Sequence, residues 1–264
     1  MKTIVFTDLD GTFLNHNDYS FEASIESLEK IFNEDIPLVF TTSKTKVEVE
    51  ELQKKVGIKE PFIVENGAAL YIPKNYKKYD FSFLESVGEY HILQLGVSYE
   101  QVLDFYNLYK DEFQMLGFSD MTIAEVEELT GLPSEAAKTS KQRGFTEPFV
   151  IKDARVVKKI QELAEKHQLK ITKGGRFYHL IGENQDKGKA VKKCVAIFEK
   201  IYNDTINSIG LGDGDNDIPL LQNVDVPIAI QNNKGGYVTI ENPKLQKSSF
   251  KGAKGWNEMI LKNV

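Results

Sequence analysis

At both ends of the chain, short runs of apolar residues alternate with longer stretches in which apolar residues recur at helical spacing. Ile4-Val5-Phe6 sits inside a strand predicted over 3–8, and a helix follows over 21–33. A strand over 37–41, a helix over 45–56 and a strand over 61–65 come next, closed by a turn at Asn66-Gly67. The rhythm resumes with a helix over 187–201, a strand over 206–211, a helix over 216–223 and the apolar Val226-Pro227-Ile228-Ala229-Ile230. Strands that alternate with amphipathic helices make parallel βαβ units. The predicted class is α/β, with a doubly wound, Rossmann-like parallel sheet as its core.

The middle of the chain breaks this rhythm. Tyr90–Leu95 reads as a strand, 99–113 and 122–130 as helices, 145–151 as a strand and 154–166 as a helix. The apolar stretches 169–172 and 176–181 flank Gly174-Gly175, a hairpin signal. The reading is an inserted α+β cap domain over 82–185, within a core domain made of 1–81 and 186–264. Ligands of doubly wound sheets bind at the carboxyl ends of the strands, so residues placed there from distant segments share one crevice.

The chemistry collects at those strand ends. The first strand runs straight into Asp8-Leu9-Asp10-Gly11-Thr12. Two carboxylates two residues apart can divide the work of phosphoryl transfer, one as nucleophile and one moving protons, and their crowding suits a hard cation such as Mg²⁺. Behind a later strand, Asp213-Gly214-Asp215-Asn216-Asp217 places three aspartates and an asparagine within five residues. Asp213 is the candidate direct metal ligand, Asp217 stands behind it, and Asn216 is a hydrogen-bonding partner. The run lacks the ligand ladder and terminal Glu of a calcium loop. Asp186-Lys187-Gly188-Lys189 opens a helix, and an ammonium at Lys187 would offset repulsion between an anionic substrate and the acids; Lys189 reads as a surface lysine. The fourth piece is Thr41-Thr42-Ser43-Lys44-Thr45, hydroxyls between a strand and a helix, suited to phosphate oxygens or, for Ser43 and Thr45, to an ordinary N-cap.

These four segments, in this order, resemble the four signature motifs of the haloacid dehalogenase superfamily of aspartate-nucleophile phosphatases. The resemblance implies Asp8 as nucleophile, Asp10 as general acid/base, Thr42 as the phosphate-binding hydroxyl and Lys187 as the third-motif lysine. It also implies a Mg²⁺ site at Asp8, the Asp10 carbonyl and Asp213, with Asp217 among the metal-site acids, and a cap that selects the substrate. Thr42-Ser43-Lys44-Thr45, Val64-Glu65-Asn66-Gly67, Gly144–Phe149 and Gly174–Leu180 are similar to segments of the mannosyl-3-phosphoglycerate phosphatase subgroup, nearly throughout the chain. Ser43-Lys44 replaces the superfamily's usual Gly-Arg. Gly214-Asp215 departs from the subgroup's usual Ser-Pro but spares Asp213, Asn216 and Asp217.

The subgroup's substrate carries a phosphate, a carboxylate and a sugar. Arg143 and Arg176 are therefore expected to bind the carboxylate, Glu147 and His179 to read sugar hydroxyls, Ser43 and Lys44 to join the substrate-binding set, and Glu65 and Asn66 to shape the rim. The expected activity is Mg²⁺-dependent phosphomonoester hydrolysis through an aspartyl phosphate, with a glucosyl analogue, another small sugar phosphate or a phosphomutase reaction as alternatives.

Composition narrows the remainder. At 264 residues, 41% hydrophobic, the chain is long enough for one large or two modest domains. Its formal charge of −6 disfavours general nucleic-acid or anionic-membrane binding and leaves a small phosphorylated metabolite as the expected partner. The one cysteine, Cys194, excludes an internal disulfide and reads as a buried thiol. No apolar run approaches bilayer length and the stretch before Asp8 is too short for a signal sequence, so a cytoplasmic location is expected.

Overall fold

A computed structural model describes residues 1–174 and 176–264. Its strands are β1 (Lys2–Thr7), β2 (Leu38–Thr41), β3 (Phe62–Val64), β4 (Ala69–Pro73), β5 (Glu85–Val87), β6 (Tyr90–Gln94), β7 (Met115–Gly117), β8 (Glu147–Ile151), β9 (Leu169–Gly174), β10 (Phe177–Gly182), β11 (Ile206–Gly212), β12 (Val226–Gln231) and β13 (Gln246–Lys251). The helices are α1 (Ile25–Asn33), α2 (Lys46–Val56), α3 (Tyr99–Phe113), α4 (Ile123–Thr130), α5 (Ser134–Ser140), α6 (Val157–Glu165), α7 (Lys187–Tyr202), α8 (Ile218–Gln222) and α9 (Gly252–Asn263).

The large sheet has the order β13-β12-β11-β1-β2-β3-β4-β6-β5. From β13 to β3 the neighbours are parallel; β4, β6 and β5 extend it antiparallel. Alternation along the central strands shows why it is covered twice. Val5, Leu38, Phe40, Phe62 and Val64 face the cluster that holds Leu28, Ile31, Val49, Trp256 and Ile260 of α1, α2 and α9. Their neighbours Ile4, Phe6, Val39 and Ile63 face Ala190, Val191, Cys194, Phe198 and Leu220 of α7 and α8. Successive side chains of a strand point to opposite faces, so strands apolar at every position need helices on both. The α/β doubly wound reading holds. Cys194 is a buried free thiol in the second cluster.

Four antiparallel strands, β7-β8-β10-β9, form a second sheet inserted between β6 and α7. Helices α3 and α6 cover one of its faces through Val102, Phe105, Tyr106, Ile160 and Ala164. The hairpin expected at Gly174-Gly175 is seen as the β9–β10 pair, with Phe177 opposite Gly174, while Gly175 lies outside the described residues.

The expected cap boundary at residue 82 needs correction. Strands β5 and β6 belong to the large sheet: Ala69–Pro73 pairs with Tyr90–Gln94, and Tyr90 packs edge-on against Phe62 and Tyr71 at 5.4 and 5.6 Å. The chain leaves that sheet at Leu95 and Gly96, whose N–H groups both donate to the Ala68 carbonyl. Among the described residues, no helix is long and apolar enough to cross a membrane.

Candidate active site

Register sets the floor of the crevice. Strand β1 lies between β11 and β2, and Thr7 is opposite Leu211 on one side and Phe40 on the other. Asp8, the Gly212-Asp213 step and the Thr41-Thr42 step therefore emerge side by side at one end of the sheet. The turn after Asp8 has to pass close to Asp213. Gly11 allows it, because its φ of +83° disfavours other residues and a Cβ there would stand 2.6 Å from Asp213 Oδ2.

Lys187 arrives from the opposite direction, at the first turn of α7, which Asp186 caps by accepting from the Lys189 N–H at 2.7 Å. The Asn66-Gly67 turn packs on this helix start so closely that a Cβ on Gly67, at φ +89°, would run into the Asp186 carbonyl. The Lys187 ammonium is fully buried and donates to Asp8 Oδ1 at 2.5 Å and to Asp217 Oδ1 at 2.6 Å. The other oxygen of Asp217 accepts from the N–H groups of Asp213 and Gly214, both at 3.0 Å. Asp217 thus ties the acidic loop to the lysine.

Ligand atoms of Asp8, Asp213 and Asp217 lie within 4.8 Å of one another. Burial, followed by the charge of Asp217, pushes the Asp8 carboxyl up to about 7 even though Lys187 pulls the other way. Burial and the charges of Asp217 and Asp8 push Asp213 up to about 8. Carboxylates crowded in a low-dielectric pocket are poised to accept a cation. Asp213 keeps one protein donor, Thr12 Oγ1 at 2.9 Å, so Asp8 and Asp213 have oxygens to offer a divalent ion while Asp217 stands behind them.

Asp10 points another way. Its Oδ2 pairs with the Lys44 ammonium at 3.0 Å, and its Oδ1 is buried without a hydrogen-bond partner among the described residues. Lys44 also approaches Glu48 at 3.8 Å and lies 5.4 Å from the centre of the Tyr19 ring. Burial opposes the Lys44 charge, but Asp10 and Glu48 outweigh it and raise its pKa. Thr42 is buried and its hydroxyl accepts from the Lys44 N–H at 3.1 Å. Thr45 is the N-cap of α2, in a capping box with Glu48. Asn216 donates to Asn66 Oδ1 at 3.3 Å, and Lys189 lies at the surface beside Asp186.

Two expected substrate contacts are corrected by the structure. Arg143 spends its Nε and Nη2 on the Thr146 carbonyl, the Thr146 hydroxyl and the Ser43 carbonyl, beside Glu65 Oε2 at 3.4 Å. Glu147 is fully buried and accepts from Tyr99 OH, Ser119 N–H and Ser119 OH. Both side chains complete internal networks instead of facing the crevice as open binding groups. Glu65, expected at the rim, is the hub of the joint: it accepts from the N–H groups of Gly144 and Phe145 and from the Thr146 hydroxyl, and its carbonyl accepts from Gln185 Nε2. Replacing Glu65 by Ala leaves the N–H groups of Gly144 and Phe145 and the Thr146 hydroxyl buried without their acceptor, and Arg143 without its countercharge. Urea unfolding is expected to show a loss of about 3–5 kcal/mol, and a loss below 0.5 kcal/mol would refute the hub.

Arg176 is exposed and donates to the Thr130 carbonyl at 3.1 Å, and its charge acts on the Tyr19 phenol along with those of Asp10 and Lys44. Nothing in the sequence marked Tyr19, which owes its place to a loop turn at φ +54° and a donor bond to the Asn15 carbonyl. Thr12 could have been read from its position directly after Gly11. The second sheet closes over the floor, with β9 packed against Asp215–Asp217.

Fold and site together define a class: a doubly wound α/β core that presents an aspartate–lysine cluster beneath an inserted antiparallel lid. The chain belongs to the haloacid dehalogenase-like hydrolase family, whose model matches residues 5–237. A glucosyl-3-phosphoglycerate/mannosyl-3-phosphoglycerate phosphatase of Persephonella marina is 50% identical over 257 residues, 97% of this chain and 95% of the relative. A mannosyl-3-phosphoglycerate phosphatase of Pyrococcus furiosus is 34% identical over 87% of this chain and 91% of its own. Among solved structures, the sucrose-phosphatase of Synechocystis in complex with sucrose and phosphate superposes with a TM-score of 0.64 at 14% identity, covering 99% of this chain and 98% of its own, a likeness of fold.

Proposed function

We propose that this chain is a Mg²⁺-dependent phosphomonoester hydrolase that removes the phosphate of mannosyl-3-phosphoglycerate, with the glucosyl analogue as the second substrate. The observation that carries the reading is the buried Lys187 ammonium clamped between Asp8 and Asp217 beside Asp213, a cation and acids assembled where a phosphoryl group would meet a metal. The relatives' names supply the substrate class.

Asp8 is the nucleophile: its carboxylate attacks phosphorus, the bond to the sugar-acid oxygen breaks, and Asp10 protonates the departing alkoxide. Asp10 then takes a proton from water, which hydrolyses the aspartyl phosphate and frees Asp8. Lys187 and the Thr42 hydroxyl hold the phosphoryl oxygens. Bound at Asp8 and Asp213, with the Asp10 main-chain carbonyl beside them, Mg²⁺ would neutralise charge on the phosphoryl group, where phosphoryl transfer gains much of its catalysis. Residues 95–185 act as the substrate-selecting cap, and its Arg176, with Ser43 and Lys44 of the core, forms the carboxylate-binding side. The substrate is a small phosphorylated metabolite of the cytoplasm.

Phosphate release from mannosyl-, glucosyl- and unglycosylated 3-phosphoglycerate, with Mg²⁺ and with a chelator, tests the reading. Metal-dependent release that favours the glycosylated compounds is expected; equal release from all three would remove the substrate assignment, and transfer without phosphate release would favour a phosphomutase. Arg176→Ala is expected to lower kcat/KM for the glycosylated substrate by about 1.5–3 kcal/mol, the worth of a hydrogen bond to a charged group. p-Nitrophenyl phosphate, which has no carboxylate, should be affected less than threefold. Equal losses on both compounds would place Arg176 outside the carboxylate pocket.

A further inference from the structure

One buried polar side chain over the crevice has a protein environment that leaves it incomplete. His179 lies on β10, opposite Pro148 of β8 and Thr172 of β9. Its neighbours Tyr178 and Leu180 pack into the cluster beneath α3 and α6, so the His179 ring projects from the other face of the cap sheet. On that side β9 rests on Asp215–Asp217, and the charges that act on the ring are those of Arg143 and Lys187. His179 is only 7% exposed, yet its Nδ1 is sealed without a hydrogen-bond partner among the described residues. Its Nε2 edge faces Gly174, where a Cβ would stand 3.3 Å away, so a larger residue would press on the ring.

Burial, with Arg143 and Lys187 nearby, pulls the imidazole down to about 3, so the ring stays neutral, with one N–H donor and one acceptor nitrogen. A buried polar atom left unpaired costs about 1–3 kcal/mol, and native proteins seldom carry one without cause. The cations of the site proposed above already suit the anionic ends of the substrate: Lys187 lies at the phosphate, Lys44 and Arg176 at the carboxylate. A neutral imidazole suits a neutral partner. We infer that His179 is a specificity-determining residue, whose ring hydrogen-bonds a hydroxyl of the substrate's glycosyl group when the cap is closed. This rests on the phosphatase reading and adds the contact that separates a glycosylated substrate from a bare phosphoglycerate.

The test uses the full chain with His179→Leu and His179→Asn. Substrates are mannosyl-3-phosphoglycerate, 3-phosphoglycerate and p-nitrophenyl phosphate, with thermal melting as a second readout. His179→Leu is expected to lower kcat/KM for the mannosyl compound about 10- to 100-fold and to leave the other two within about threefold. Its melting midpoint should not fall, because an unpaired polar atom has been replaced by apolar ones. His179→Asn keeps an amide near the position of Nδ1 and should recover part of the selectivity. Equal losses on all three substrates, or no loss on any, overturn the inference; so does a lower midpoint with unchanged substrate ratios, which is the mark of a purely structural histidine. A wild-type protein active on p-nitrophenyl phosphate but inert towards the mannosyl compound overturns the substrate reading and the hydroxyl contact together. If His179→Leu does not fold, His179→Phe is judged by the same criteria.

Discussion

Asp8→Asn is expected to abolish phosphomonoester hydrolysis, with kcat reduced on the order of 10⁴-fold or more. An amide is a poor nucleophile and offers the metal site no negative charge. The fold should survive, because the amide oxygen can still accept from Lys187, now 2.5 Å from Asp8 Oδ1. Stability carries a second signature. The Asp8 carboxyl has an ordinary value of 3.8 and is pushed up to about 7 by burial and by Asp217. A raised carboxyl means that the folded protein binds its proton more tightly than the unfolded chain does. Ionisation of Asp8 therefore costs stability, beginning above about pH 3.8 and complete above about pH 7. With a chelator present, wild type should lose stability relative to Asp8→Asn across that window and remain lower by a constant amount beyond it. Urea unfolding at several pH values measures the difference. Turnover by verified Asp8→Asn protein at more than a hundredth of the wild-type rate would exclude Asp8 as nucleophile.

The second large effect is expected at Lys187. Lys187→Met keeps an apolar stem of similar length but leaves Asp8 and Asp217, 6% and 0% exposed, without their shared cation. Removing one partner of a buried ion pair is typically worth about 3–5 kcal/mol, because the remaining charge stays in a poorly solvating site. Activity should fall by about 10²–10³-fold as well, the usual loss when one preorganised donor to a developing charge is removed. Adding Asp217→Asn to Lys187→Met removes one of the two stranded charges. The double variant should regain about 1–3 kcal/mol of stability as a coupling term with no recovery of activity. Wild-type stability in Lys187→Met would mean that the acids are compensated from elsewhere. A double variant no more stable than the single one would place the cost outside the Asp8–Lys187–Asp217 cluster.

Much of this molecule was legible in one dimension. Ile4-Val5-Phe6, Val39-Phe40 and Ile209 announced central strands because every position of such a strand is buried against one of two helical layers. The acids just beyond β1 and β11 and the lysine at the start of α7 were visible because strand ends and helix starts are local features, and a strand's carboxyl end is where this architecture binds ligands. Other parts went unread: the short strand β7, helix α5 and the closing β13–α9 pair, although α9 buries Ala253, Trp256, Met259 and Ile260 at helical spacing. Strand β6 was read as a strand but placed in the wrong sheet, because alternation records that a strand has a partner and not which one it has.

Side-chain roles divide along the same line. That Asp8, Asp10, Thr42, Lys187, Asp213 and Asp217 lie at element ends around one crevice follows from the order of residues alone. That the Lys187 ammonium bridges Asp8 and Asp217 while Asp10 turns to Lys44 depends on distances between segments 30 or more residues apart in the chain, and on backbone register. Arg143 and Glu147 have the right chemistry for a substrate pocket, yet Thr146, Ser43, Tyr99 and Ser119 reach them first. Tyr19 comes to lie beside the Lys44 ammonium through a loop turn that no periodicity encodes. Residue type sets what a side chain is able to bind, but burial and the nearest competing partner decide what it does bind, and both of those are created only when distant parts of the chain pack together.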